Sequence, residues 1–351
     1  MKTLRWALAA VTLGLAALWL GLEAAGLDAK TALSALWAGA FGSWDSFTSA
    51  TLVRAVPLIL IGLGIAIAFR GGALNIGGEG QFYAGAIAAT WVGLHLGGLP
   101  RVGAVTLVLL AAAAAGFAWV VVPVWLKLRF GVLEVISTLL LNFIAVSLVS
   151  LMVQGPLQER SRVYPQSDAI AEAARLPLLP GSRLHAGLAV ALAAGLILWF
   201  VFARTFWGFR LRAVGLGPRA AEVSGRIDSQ RMGAVALLLS GGIAGLAGGV
   251  EISGVTYALF QNLSPGYGFT GIAVALLGGL HPLGVVAAGI LFGALQAGAG
   301  AMQRDAGVPA VAVYVVEAVI IIVALLATAP RGGWTGLRSA VRRRIAPRPA
   351  A

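Results

Sequence analysis

Three side chains able to hydrogen-bond a polar solute, Asn75, Glu79 and Gln81, fall in the short stretch Arg70-Gly-Gly-Ala-Leu-Asn-Ile-Gly-Gly-Glu-Gly-Gln81, among five glycines. An amide offers donors and an acceptor, and an ionised carboxylate offers acceptors alone. Such groups can recognise hydroxyls and ring nitrogens without covalent chemistry. A second set, Glu134, Thr138 and Asn142, recurs at i, i+4 and i+8 and so shares one helical face. Asn75, Glu79, Gln81 and Asn142 are therefore the candidate solute-handling residues. Glu79 also has a structural reading, as an acid near a helix start.

Catalytic chemistry has no comparable support. The chain has no cysteine, which removes disulfides, thiolate metal sites and cysteine nucleophiles. His95, His185 and His281 stand apart from one another, and neither a His-Glu-x-x-His helix nor a Gly-x-Ser-x-Gly elbow occurs. Lys2, Lys30 and Lys127 are the only lysines, and none follows a phosphate-binding Gly-x-x-x-x-Gly pattern. No cofactor and no metal is expected on this chain.

The elements that must hold the polar groups are membrane helices. Hydrophobic residues make up 59% of the 351, charged residues 11%, and mean hydropathy is +0.92. The motif at 70–81 separates two apolar runs, 51–69 and 82–96. Polar, glycine-broken backbone in such a place is tolerated where protein or a water-filled path surrounds it, and it points to solute sites in transporters. An ordinary loop that turns the chain and starts the next helix is the competing reading.

The whole chain, 1–351, reads as one transmembrane domain, all-α, with about ten spans. They are placed near 6–26, 51–69, 80–97, 102–126, 133–153, 184–203, 232–257, 267–280, 282–301 and 310–329. The eighth is short enough to be re-entrant, and the third has room to begin inside the motif. With the N-terminus inside, seventeen Lys and Arg fall on the inner side and eight on the outer. Both termini and the loop 204–231 are accordingly expected in the cytoplasm, and the loop 154–183 outside. This bias accounts for the net charge of +12 without nucleic acid. The first apolar run is longer than a usual signal-peptide core and is expected to be retained.

Gly217, Pro218 and Gly225 bracket a helix of about two turns within 212–226, too short to be stable alone in water. It either docks on a partner surface or is an ordinary loop. Gly241, Gly245 and Gly249, like Gly289, Gly293 and Ala297, repeat every fourth residue, a spacing that lets helices approach closely in lipid. Glu251, Gln296 and Glu317 are further intramembrane polar residues and should face the bundle interior.

Five stretches in order resemble the permease subunits of ABC importers of the simple-sugar, branched-chain amino acid and nucleoside type. They are Ala73-Leu-Asn-Ile-Gly-Gly-Glu-Gly-Gln, Glu134-Val-Ile-Ser-Thr-Leu-Leu-Leu-Asn-Phe-Ile, Arg212-Ala-Val-Gly-Leu-Gly-Pro-Arg-Ala-Ala, Leu239-Ser-Gly-Gly-Ile-Ala-Gly-Leu-Ala-Gly-Gly and Gly266-Tyr-Gly-Phe-Thr-Gly-Ile-Ala-Val-Ala-Leu-Leu-Gly. The first and last are the most specific, and they resemble the nucleoside branch more than the ribose branch.

The resemblance implies a type II importer-like permease in the bacterial plasma membrane. It implies a heterodimer with a second permease, a cytoplasmic ABC ATPase that uses ATP and Mg, and an external substrate-binding lipoprotein. It makes 212–226 the ATPase-coupling helix, with Gly215, Pro218, Arg219 and Glu222 as its residues. For a nucleoside, Tyr267 or Phe269 would supply a stacking surface. A proton- or sodium-coupled carrier is the alternative; it would ordinarily carry a relay of intramembrane carboxylates, whereas Glu79, Glu251 and Glu317 are scattered.

Overall fold

The computed structural model describes residues 2–309 except Gly97 and Arg226, and then scattered positions as far as Ile322. Most of the expected tenth span, Glu317 and the basic tail from 331 lie outside the described residues. Among the described residues the chain is all-helical, with no strand and only two isolated bridges, Gln166 with Phe260 and Leu178 with His185.

In chain order the helices are α1 (Lys2–Ala24), α2 (Ala29–Phe41), α3 (Val53–Arg70), α4 (Gly78–His95), α5 (Arg101–Phe130) and α6 (Glu134–Gln154). There follow α7 (Gly187–Arg204), α8 (Phe206–Leu216), α9 (Pro218–Gly225), α10 (Ser229–Glu251), α11 (Tyr267–Leu277) and α12 (Pro282–Ala306). Two π-helical stretches, Ser46–Leu52 and Ile252–Thr256, extend α3 and α10 into longer rods.

Six helices among the described residues are long and apolar enough to cross a membrane: Ser46–Arg70, α5, α6, α7, Ser229–Thr256 and α12. The expected count of ten is not reached there. The polar start of α4, Gly-Glu-Gly-Gln, dilutes its apolar character. With 11 residues, α11 is only about 16 Å long, roughly half the hydrocarbon thickness.

The largest departure from expectation is α2. Residues 29–41 form a helix where no span was placed, begun by Asp28, whose carboxylate accepts from Lys30 and Thr31 N–H. It packs against α12 through a close crossing in which a methyl at Gly39 would lie 2.3 Å from Ala301 Cβ.

At the centre stands α3, buried on every side from Ala55 to Ala68 and wrapped by α7, α10, α11 and α12. A helix apolar all round belongs there. In contrast α6 and α7 leave Leu140, Phe143, Ile144, Leu151, Leu196, Ile197 and Phe200 exposed. So broad an apolar surface matches a hydrocarbon environment.

The glycines set how closely the rods approach. A methyl at Gly245 would stand 2.4 Å from Ala112 O, one at Gly241 2.3 Å from Val120 Cγ2, and one at Gly249 2.5 Å from Ala112 Cβ, so α10 lies backbone-to-backbone on α5. Gly289 and Gly293 do the same for α12 on α3, facing Ile59 and Thr51.

Candidate functional site

The motif 71–81 folds as a chain reversal between α3 and α4, buried at Ala73, Asn75 and Gly77 but exposed at Gly72 and Leu74, that continues into the first turn of α4. Asn75, with no exposed surface, and Gln81, almost none, form a reciprocal amide pair: Asn75 Nδ2 donates to Gln81 Oε1 and Gln81 Nε2 donates to Asn75 Oδ1, both at 2.9 Å. Asn75 Nδ2 also reaches Ser240 Oγ on α10 at 2.8 Å, and its Oδ1 accepts Gly77 N–H at 2.8 Å. The glycines are needed here. A methyl at Gly77 would come 2.9 Å from both Gln81 Nε2 and Thr138 Cβ.

One face of α6 reads the backbone of this reversal. Glu134 Oε1 accepts from Leu74 N–H at 3.3 Å and from Lys127 Nζ at 2.8 Å. Thr138 Oγ1 accepts Ile76 N–H at 3.3 Å. Asn142 Oδ1 accepts Gly80 N–H at 2.8 Å, and its Nδ2 donates to Ile76 O at 2.9 Å. The i, i+4, i+8 spacing thus gives three successive clamps on a segment with little hydrogen bonding of its own. In this conformation the amide groups of Asn75, Gln81 and Asn142 are turned toward protein partners.

Glu79 is directed elsewhere. Its Oε2 accepts Gly268 N–H at 2.6 Å, and its carboxylate also meets the Ser264 hydroxyl. The acid therefore sits at the start of α11, where free N–H groups and the positive end of the helix dipole favour a negative charge. Gly268 is required at this crossing, since a methyl there would lie 2.1 Å from Glu79 N. Next to it, Tyr83 Oη accepts Ser264 N–H at 3.2 Å, and the Tyr267 ring packs edge-on against Phe82 with centroids 5.8 Å apart.

Two residues outside the candidate solute-handling set join this region. Glu251, buried at the end of α10, and Arg54, in the first turn of α3, lie near enough to Tyr267 and to each other for their charges to interact. Arg54 is one of the eight basic residues that the charge count assigns to the outer side. Only its place on α3, beside the α10 end, turns it inward. Phe269 does not join the group: two residues beyond Tyr267, it lies on the opposite side of α11 and is 48% exposed.

On α8 and α9 the structure separates residues in close contact with the bundle from those presented outward. Gly215 is pressed on the end of α3, where a methyl would stand 2.1 Å from Arg70 O. Ala221 packs α9 onto Val214 and Ile227. Pro218, Arg219, Glu222 and Val223 face outward, and Glu222 accepts a hydrogen bond from the Ser229 hydroxyl.

Comparison with known proteins agrees with this architecture. The family described as "Branched-chain amino acid transport system / permease component" matches residues 47–325. The guanosine ABC transporter permease NupP of Bacillus subtilis is 40% identical over 90% of this chain and 91% of its own. A glucose ABC transporter permease of Haloferax volcanii, TsgB13, is 39% identical over 77% of this chain and 74% of its own. The nucleoside permease NupB of Lactococcus lactis is 36% identical over 82% and 80%. No solved structure matches the chain. These similarities set aside the ion-coupled carrier and a catalytic role: the chain belongs to the permease-component family, as a multi-pass membrane permease of an ABC transporter.

Proposed function

We propose that this permease imports a nucleoside or a closely related small polar solute, as one half of a heterodimer with a second, homologous permease. The observation that carries the substrate class is the 40% identity to a guanosine permease along most of both chains. ATP and Mg are used by a separate cytoplasmic ATPase, and an external binding lipoprotein delivers the solute.

The geometry supports a division of labour. Residues 204–231, with α8 and α9, form the cytoplasmic end. There Arg219, Glu222 and Val223 offer an exposed surface on α9, which is anchored through Ala221 to Val214 of α8, and α8 in turn meets the end of α3 at Gly215. Movement of that helix pulls on the end of α3, the buried axis of the bundle. The loop 154–183 lies outside, where Ser167 and Ile170 N–H bond to Leu259 and Tyr257 O of the segment before α11. Beneath it, Arg54, Glu79, Glu251 and Tyr267 supply polar groups at the start of a half-length helix, an arrangement suited to a solute at mid-depth.

Uptake into vesicles holding both permeases, the ATPase and the binding protein tests this reading. Labelled guanosine or adenosine should accumulate only with ATP and be competed by nucleosides. Accumulation of glucose but not of nucleosides would replace the substrate class, and uptake without the ATPase would overturn the coupling.

A further inference from the structure

We propose that a cavity of about 340 Å³ between the end of α3, α8 and the α11–α12 turn binds a phosphate group. Arg70 and Arg212 line it, with Phe69, Leu216 and Leu280 as apolar walls. The transport reading uses one lining residue, Gly215, as a contact between helices and gives the two guanidinium groups no role.

The cavity gathers positive charge without a counter-charge. Arg70 is half-buried, and its guanidinium is held 4.9 Å over the Phe202 ring, which fixes its direction. Arg212 is near enough for the two charges to oppose each other. His281 flanks them, its imidazole held below the ordinary range by burial and then by the charge of Arg70. Among the described residues the ion pairs are Lys127–Glu134, Arg160–Asp168 and Arg231–Asp228, so neither Arg70 nor Arg212 is neutralised.

Holding two guanidinium groups together beside apolar walls is unfavourable until an anion joins them. A tetrahedral phosphate suits this best, because the planar fork of arginine pairs with its oxygens two at a time. The turn that closes the cavity takes two left-handed residues in succession, Gly279 at φ 63° and Leu280 at φ 55°. Leucine seldom adopts that conformation, which shows how firmly the turn is held over the pocket. The volume leaves room beyond one phosphate for an organic group. The ligand is thus a soluble phosphate ester or the headgroup of an anionic phospholipid.

The full chain in nanodiscs of neutral lipid, titrated with inorganic phosphate and with glycerol 3-phosphate, provides the test by calorimetry and thermal unfolding. A parallel set of nanodiscs contains phosphatidic acid. Saturable binding is expected, weakened at least tenfold by Arg212→Gln and unchanged by Arg210→Gln, a neighbouring arginine stacked on Phe206. Arg212 is exposed, so its replacement leaves the fold intact even if Arg70→Gln does not. Stabilisation by phosphatidic acid alone assigns the lipid, and stabilisation by the soluble esters assigns the solute. Absence of binding in every arm, or equal weakening by both exposed variants, overturns the proposal.

Discussion

The Asn142 side chain holds the chain reversal at 71–80 from α6, accepting Gly80 N–H at 2.8 Å while donating to Ile76 O at 2.9 Å. One carboxamide thereby satisfies a donor and an acceptor on the two sides of a segment that has left regular helix. In lipid these groups have no water to fall back on. The relationship makes Asn142 a structural clamp in this conformation, and it changes what substitution there should do.

Asn142→Leu is expected to lower the folded fraction and not merely the transport rate. It leaves Gly80 N–H and Ile76 O without partners, each costing on the order of 1–3 kcal/mol when buried. Asn142→Asp keeps the acceptor for Gly80 and should be milder. Thermal unfolding in detergent together with uptake separates the two effects. Full stability with lost transport in the leucine variant would return Asn142 to a path-lining role.

Glu79 should tolerate amide replacement better than apolar replacement. Glutamine still offers an oxygen to Gly268 N–H, whereas leucine leaves the start of α11 uncapped, a loss of roughly 1–2 kcal/mol. Unfolding midpoints should therefore rank wild type, Glu79→Gln, Glu79→Leu. Equal midpoints for all three would contradict the capping role.

Close packing of α10 gives a sharp contrast between neighbouring glycines. Gly248→Ala places a methyl 2.0 Å from Phe82 O on α4 and should destabilise by roughly 1–3 kcal/mol through overpacking. Gly242→Ala meets nothing nearer than 3.5 Å and should be nearly neutral. Comparable losses from both would show that the contact at Phe82 O does not set the cost at Gly248, since helix propensity alone favours alanine at either position.

The loop at 154–183 should respond to acid. The Ser161 hydroxyl, then the Gln166 amide and the Tyr164 N–H, bond to the Glu159 carboxylate and hold its pKa below the ordinary 4.5. A carboxyl with a lowered folded pKa stabilises above its unfolded value, and that contribution is lost as pH falls through the folded value. Protection of the Tyr164 N–H from hydrogen exchange, measured against the intrinsic rate at each pH, should thus be highest at pH 7 and fall below about pH 4.5. Glu159→Gln should abolish that pH dependence, and a dependence that survives would assign it to another group.

Sequence by itself determined the environment and most of the helices. The apolar runs that became α5, α6, α7, α10 and α12 are long enough that only bilayer-spanning rods accommodate them. The i, i+4, i+8 set on α6 and the every-fourth glycines were also legible, because helical periodicity alone puts those residues on one face. The partners of those faces were not. That Asn142 meets Gly80, that Glu79 caps α11 instead of α4, and that Arg54 turns toward Glu251 each joins segments far apart in the chain. Hydropathy says how deep a residue lies but not which helix it faces. The short helix α2 escaped for the opposite reason, since its 13 residues form no full span and are held by Gly39 and Gly298 against a partner more than 250 residues away. Those pairings are set by side-chain volume and by backbone groups that must find partners in the absence of water, and only the packed bundle decides them.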